Sequence, residues 1–320
     1  HINIAEIKNP DLDAILVEFA RRAGARVATG VRVADLVRRG GSVAGVRSAD
    51  GLEISARVVV GADGLRSIVV RRLGLLRRGP RLRKLALTAH VRDAELPDAT
   101  GLLCLSDHSC IGIAPLRGGA ANVVVVLHGD ATRMASGDPD GCFDRLIAGN
   151  SYLSRATRTS GVQATGPFDW PTRSVVADGA VLVGDAAGYF DPLTGQGIYR
   201  AIRGARMAAG VLDPLLVEIS AGRAAQGDQR GAVVPAKGLA KYQALHDSAF
   251  RFGAWVQRVI EMGVAHPPLF SAAAAVLRAR PRWADRVLAI TGDVAAGLRA
   301  SEGPGASFVA GWTSLETESA

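Results

Sequence analysis

Residues 180–212 read AVLVGDAAGYFDPLTGQGIYRAIRGARMAAGVL, and the rest of the chain is organised around them. Ala180–Val183 is an apolar run of strand length, Gly184–Gly197 is a loop dense in Gly, Asp and Pro, and a helix opens at about Ile198. Strand, glycine loop and helix in that order aim backbone N–H groups and the positive end of a helix at an anionic or electron-rich ligand. Ile198, Ala201, Ile202, Ala205, Ala208, Ala209 and Leu212 recur at helical spacing. The small residues Ala201, Gly204, Ala205 and Ala208 suit close packing against a sheet. An ordinary buried strand–turn–helix without a ligand is the plainer reading, but it does not require so many Gly, Asp and Pro positions in one loop.

Upstream, Asn9-Pro10-Asp11 opens a helix whose apolar stripe is Leu12, Ile15, Leu16, Phe19, Ala20 and Ala23, with Gly24 at its end. Ala25–Ala28, Val31–Val37, Ser42–Ser48 and Leu52–Arg57 read as strands, with Gly40-Gly41 and Asp50-Gly51 as turns. Val58-Val59-Val60 is a β-branched run of the kind buried on both faces. Gly61-Ala62-Asp63-Gly64-Leu65-Arg66-Ser67 follows it, with Ser67 able to cap a short helix ending near Gly74.

Two motifs now stand in sequence, and together they carry a resemblance. Gly184-Asp185-x-x-Gly188-x-x-Asp191-Pro192-x-x-Gly195-x-Gly197 resembles the second FAD-binding motif of the flavin-dependent monooxygenases and their relatives, the superfamily of para-hydroxybenzoate hydroxylase, geranylgeranyl reductase and the flavin halogenases. Gly61–Ser67 resembles the family's Asp-Gly motif. Arg71-Arg72-Leu73-Gly74-Leu75, and Val70 where hydroxylases usually carry Arg, place it nearer the geranylgeranyl-reductase-like branch, as does the Asp191-Pro192 pair. The W-x-W-x-I-P signature of halogenases is not found.

The resemblance implies an α/β (α+β) fold: a discontinuous Rossmann-like parallel sheet binding FAD, an inserted antiparallel substrate sheet, and C-terminal helices. Residues 1–80 and 172–215 are expected to form the FAD-binding domain, with the strands at Val58–Val60 and Ala180–Val183 parallel in one sheet. Residues 81–171 are expected to form the substrate domain, a layer that in the family roofs the flavin ring; its strands read as Leu85–Val91, Gly101–Leu105, Cys110–Pro115 and Ala121–His128, with a Gly118-Gly119 hairpin and a helix at Gly141–Ala148. Residues 216–320 are expected to be helical at Leu239–Val264 and Pro268–Ala279, with Ala221–Gly238 a loop and Ser301–Ala320 a tail.

By the same resemblance, Asp185, following Gly184, binds ribityl hydroxyls of FAD through charge-assisted bonds. A loop-capping role is the alternative. Pro192 stiffens the loop beside the flavin, and Gly195, Gln196 and Gly197 offer N–H groups to its N1/C2=O edge, where reduced flavin gathers negative charge. Asp63 and Gly64 lie near the pyrophosphate and the nicotinamide site. No catalytic side chain is assigned: His90, His108 and His128 fall in the expected substrate sheet, where a lone histidine is more often structural than catalytic, and His246 and His266 fall in the C-terminal helices without a visible partner. The implied activity is an FAD-dependent oxidoreductase that uses NAD(P)H to reduce flavin and acts by monooxygenation or double-bond reduction on an apolar or aromatic small molecule. The alternative is a truncated, non-catalytic homologue that keeps the fold as a binding protein.

The family's G-x-G-x-x-G turn, which holds the ADP half of FAD in the opening βαβ unit, does not follow any strand here; the resemblance begins just before the helix at Asp11. A polypeptide confined to these 320 residues is therefore expected to purify largely colourless. Hydrophobic residues make up 48%, enough for two packed units. No uncharged apolar run reaches membrane-spanning length, and no signal peptide opens the chain, so a cytoplasmic protein is expected. The net charge of +8 admits nucleic acid or an anionic membrane surface as partners. The arginines are spread, however, and aromatics are only 5%, so nucleic acid is not expected, while peripheral membrane contact stays open. Cys104, Cys110 and Cys142 lack metal-binding spacing and read as free thiols.

Overall fold

The computed structural model describes residues 9–80, 83–97, 100–106, 109–192, 195–226, 233–264, 267–280 and 282–283. Leu193, Thr194, His108, His266 and the tail expected at 301–320 lie outside them. In chain order the elements are α1 (Asn9–Arg22), β1 (Val33–Arg39), β2 (Ser42–Ser48), β3 (Glu53–Ser55), β4 (Val59–Gly61), α2 (Ile68–Leu73), β5 (Lys84–Arg92), β6 (Leu102–Leu105), β7 (Ser109–Pro115), β8 (Ala120–His128), α3 (Pro139–Ala148), β9 (Thr157–Arg158), β10 (Gln163–Thr165), β11 (Val176–Ala177), β12 (Ala180–Leu182), α4 (Gly197–Gln226), α5 (Ala236–Val264) and α6 (Pro267–Ala279). Contacts divide the described residues into two units: one takes those up to Thr29 and in Arg81–Phe168, the other those in Gly30–Pro80 and Asp169–Pro304.

The first unit is an antiparallel sheet in the order β10-β5-β8-β7-β6, with β9 also on β5. Alternation along β8 sends Val123, Val125 and Leu127 into a core shared with Leu87, Val91, Phe143 and Leu153. Asp138 caps α3, its carboxylate accepting from the Gly141 N–H at 2.8 Å. Helix α1 forms where its stripe predicts, yet Ile15, Leu16 and Phe19 stay exposed among the described residues. Periodicity reports which face seeks burial, not what covers it.

The second unit holds both motifs. Strands β4 and β12 pair in parallel, Val59 opposite Ala180 and Gly61 opposite Leu182, with β11 antiparallel on the far side of β12. This is the adjacency expected of the two apolar runs. The expectation that the strands of residues 1–80 and 172–215 share one sheet is corrected, however: β1, β2 and β3 form their own antiparallel sheet. Its β1–β2 hairpin turns through Gly40 and Gly41, both at positive φ (56° and 85°), as a tight two-residue turn demands. Ala25–Ala28 is coil rather than strand, for no described strand pairs with it. Val60 is 46% exposed, so β4 is buried on one face only.

Helix α4 also differs from expectation. Its buried face is Gly204, Ala208, Val211 and Leu212, while Ile202, Ala205 and Ala209 are exposed. Gly204 faces the motif turn, where a Cβ would lie 3.8 Å from the Gly184 nitrogen, an ordinary contact distance. The helix also runs through Pro214 to Gln226, where a loop was expected from Ala221. A mid-helix proline costs about 3 kcal/mol, but Leu215, Leu216 and Ile219 continue to pack on the core beyond it. No described helix is long and apolar enough to cross a membrane.

Candidate functional site: a carboxylate at the strand–helix turn

Fully buried β12 ends at Leu182, and the N–H of the next residue, Val183, donates to the Gly61 carbonyl at 3.0 Å and so ties the two motifs together. The chain then enters a 3-10 turn, Gly184–Ala187, with Gly184 at φ 59° and packed on Ala201 of α4. The turn is closed by backbone, Gly188 N–H to the Asp185 carbonyl at 3.1 Å, leaving the Asp185 side chain outside the capping scheme. That carboxylate makes no hydrogen bond to any described residue. It lines a cavity of about 110 Å³ with Gly64, Arg66, Ser67, Trp170 and Thr172. Burial raises its pKa above the usual carboxylate range, and the guanidinium of Arg200 partly offsets this.

The Asp-Gly motif reaches the same cavity through Gly64, Leu65, Arg66 and Ser67, but not through Asp63. Asp63 turns instead to α2, accepting the Ile68 N–H at 2.7 Å, while the Ser67 hydroxyl accepts from Val70 N–H at 3.0 Å. Asp63 is thus a cap of that helix, a role the motif reading did not include. Past the turn, Trp170 and Tyr189 form a two-way backbone bridge (2.7 and 3.2 Å), and Thr172 Oγ1 donates to the Ala187 carbonyl at 2.7 Å, fixing the segment on which Asp185 sits. Pro192 accepts the Gly195 N–H at 3.0 Å, and Gly195 adopts φ 64° with open space where a side chain would stand. The first bond of α4 runs from Arg200 N–H to the Gln196 carbonyl at 2.9 Å, so the N–H groups of Gly197 and Ile198 have no intrahelical acceptor. The structure brings Gly64 and Asp185 to one cavity; Pro192 and Gly195–Gly197 line neither that cavity nor the larger one beside it.

Arg200 is the residue that sequence reading missed. A cation in the first turn of a helix opposes the positive end of the dipole, and that anomaly was the available signal. No group of His, Cys, Asp and Glu among the described residues is placed to hold a metal, and all three cysteines are free thiols.

A parallel strand pair feeding a tight turn, a carboxylate without a hydrogen-bond donor among the described residues and a helix N-terminus define a cofactor-binding domain of the flavoprotein kind. The chain belongs to the FAD binding domain family, whose pattern it matches over residues 2–222. It is 32% identical over 212 residues to the digeranylgeranylglycerophospholipid reductase of Methanothrix thermoacetophila, covering 62% of this chain and 52% of that protein. The chain thus spans about half the length of the curated relatives it matches. The fold is that of a geranylgeranyl bacteriochlorophyll reductase-like protein from Thermoplasma acidophilum (TM-score 0.65, 21% identity, 80% of this chain and 63% of that one). The flavin-dependent brominase Bmp2 shares it too (TM-score 0.70, 18% identity, 89% and 70%).

The residues present fit FAD. A half-buried carboxylate that has lost water without gaining a protein donor matches a ligand bearing adjacent hydroxyls, since an unsatisfied polar group in that position costs about 1–3 kcal/mol.

Proposed function

We propose that the chain forms the flavin end of an FAD-dependent oxidoreductase that takes electrons from NAD(P)H and acts on an apolar or aromatic small molecule. Double-bond reduction is favoured over monooxygenation, supported by the Asp191-Pro192 pair and by the reductase names of the similar proteins. The observation that carries the reading is the Asp185 carboxylate, cavity-facing and without a hydrogen-bond donor among the described residues.

In this reading Asp185 accepts from two ribityl hydroxyls and fixes the chain that bears the ring. The N–H groups of Gly197 and Ile198, with the positive end of α4, meet the pyrimidine edge, where negative charge collects on reduction. Gly64 keeps the backbone free of a side chain on the phosphate side of the same cavity. Redox chemistry itself, electron uptake from reduced nicotinamide and delivery to substrate, is what bound FAD supplies. The protein's part is to hold, orient and polarise.

The test is an FAD titration followed through the flavin's visible absorbance, then anaerobic addition of NADH or NADPH. Saturable binding and bleaching by one of the two are expected. Binding without bleaching by either would remove the nicotinamide step, and no binding at saturating FAD would remove the reading.

A further inference from the structure

Beside the flavin-motif cavity, and within the same unit, lies a larger one of about 360 Å³. Five arginines line it, Arg77, Arg173, Arg200, Arg251 and Arg258, against two carboxylates, Asp169 and Asp247. Asp169 is already engaged by Arg78 at 2.5 Å, and Asp247 accepts from Gln243 Nε2 at 3.0 Å. Arg200 is half-buried at the base, its guanidinium stacked 4.7 Å over the Phe250 ring. It makes no hydrogen bond or ion pair with any described residue; burial lowers its pKa, and the carboxylate of Asp185, acting through space, opposes that only in part. His246, 9% exposed, stands edge-on to the same ring at 4.9 Å with Nδ1 unbonded, 3.8 Å from Asp247. Arg258 lies over Phe190 at 5.7 Å.

A guanidinium that has shed water without finding an acceptor is costly unless a partner arrives. Planar guanidinium forks recognise carboxylate and phosphate, and the cavity falls within the usual range for small-molecule sites, about 300–1,000 Å³. We propose that this cavity seats the oxyanion, carboxylate or phosphate, of an acidic substrate, with Arg200 as its buried contact, Arg251 and Arg258 at its mouth, and Phe190 and Phe250 against the adjoining apolar part. Calling the ligand a substrate rests on the oxidoreductase reading; the binding does not. Neutral His246 adds a hydrogen-bonding ring nitrogen without adding charge.

Benzoate, phenyl phosphate and the neutral benzyl alcohol serve as probes, each titrated calorimetrically into the full chain. Benzoate or phenyl phosphate is expected to bind at least about tenfold more tightly than benzyl alcohol, the better of the two naming the oxyanion. Arg200→Gln is expected to weaken that binding by about tenfold or more, the effect of losing one charge-assisted contact. If Arg200→Gln does not fold, the Arg251→Gln/Arg258→Gln double variant carries the test, with a loss of about threefold or more expected. Equal affinity for charged and neutral probes, or unchanged affinity in the variants, would overturn the proposal. Displacement of the anion by NADPH but not by NADH would overturn the substrate assignment, since the oxyanion would then be the donor's phosphate. Flavin binding is titrated separately on the unsubstituted chain, so its failure would remove the oxidoreductase reading and leave the anion result standing.

Discussion

The phenol of Tyr242 on α5 donates a 2.7 Å hydrogen bond to the carbonyl of Leu182, the last residue of β12. Both residues are fully buried, and burial pushes the Tyr242 hydroxyl up to about 12, keeping it protonated as a donor. This bond ties α5 directly to the strand that delivers Asp185. Tyr242→Phe keeps the ring and strands the carbonyl, so a loss of about 1–3 kcal/mol is expected from chemical denaturation. An unchanged midpoint would show that the two elements are held by packing alone.

His246, one turn further along α5, bears on pH. Burial first, then Arg200, lowers its pKa to about 4, with Asp247 opposing. The unfolded chain has the higher pKa, so this histidine costs no stability above about pH 6.5 and progressively destabilises the fold as pH falls towards 4. The loss reaches about 3 kcal/mol from a shift of that size. Denaturation midpoints between pH 7 and 4 are expected to fall less steeply in His246→Leu than in the parent. Parallel slopes would show that His246 is not held neutral.

Asp169 is 5% exposed, at φ 67°, and faces Arg78 at 2.5 Å. Removing the guanidinium leaves a buried carboxylate uncompensated. Arg78→Leu is expected to destabilise by about 3 kcal/mol, the low end for such pairs because Arg78 keeps some solvent contact. Thermal unfolding that matches the parent would show the pair to be incidental.

Much of the fold was legible because its signals are local. Strand β2 falls on Ser42–Ser48 as read, Ser67 caps α2 as read, and the parallel neighbours follow from two apolar runs after which glycine motifs begin. The misreadings are all non-local. Which side of β4 meets solvent, which face of α4 goes down, and how far α4 runs past Ala221 depend on partners distant in sequence. The site divides the same way: Asp185 is announced by its loop, whereas Arg200 gains meaning only once Phe250 and His246 arrive from α5.

Protonation of Asp185 gives a further handle on the cofactor site. Its carboxylate, raised in pKa by burial, is the form that accepts two hydroxyls, so FAD affinity is expected to decline as pH falls through that raised value. Asp185→Asn should flatten this dependence while binding more weakly at neutral pH. A parent whose affinity declines no differently from the variant would place the titrating group elsewhere.

The most direct measurement is the FAD dissociation constant of the protein and of Asp185→Ala at neutral pH, paired with their thermal unfolding. Loss of a charged acceptor is worth about 1.5–3 kcal/mol, so affinity should weaken by about ten- to a hundredfold or more, with the unfolding temperature nearly unchanged. Unchanged FAD affinity alongside a lowered unfolding temperature would contradict the assignment and make Asp185 a structural residue of its turn.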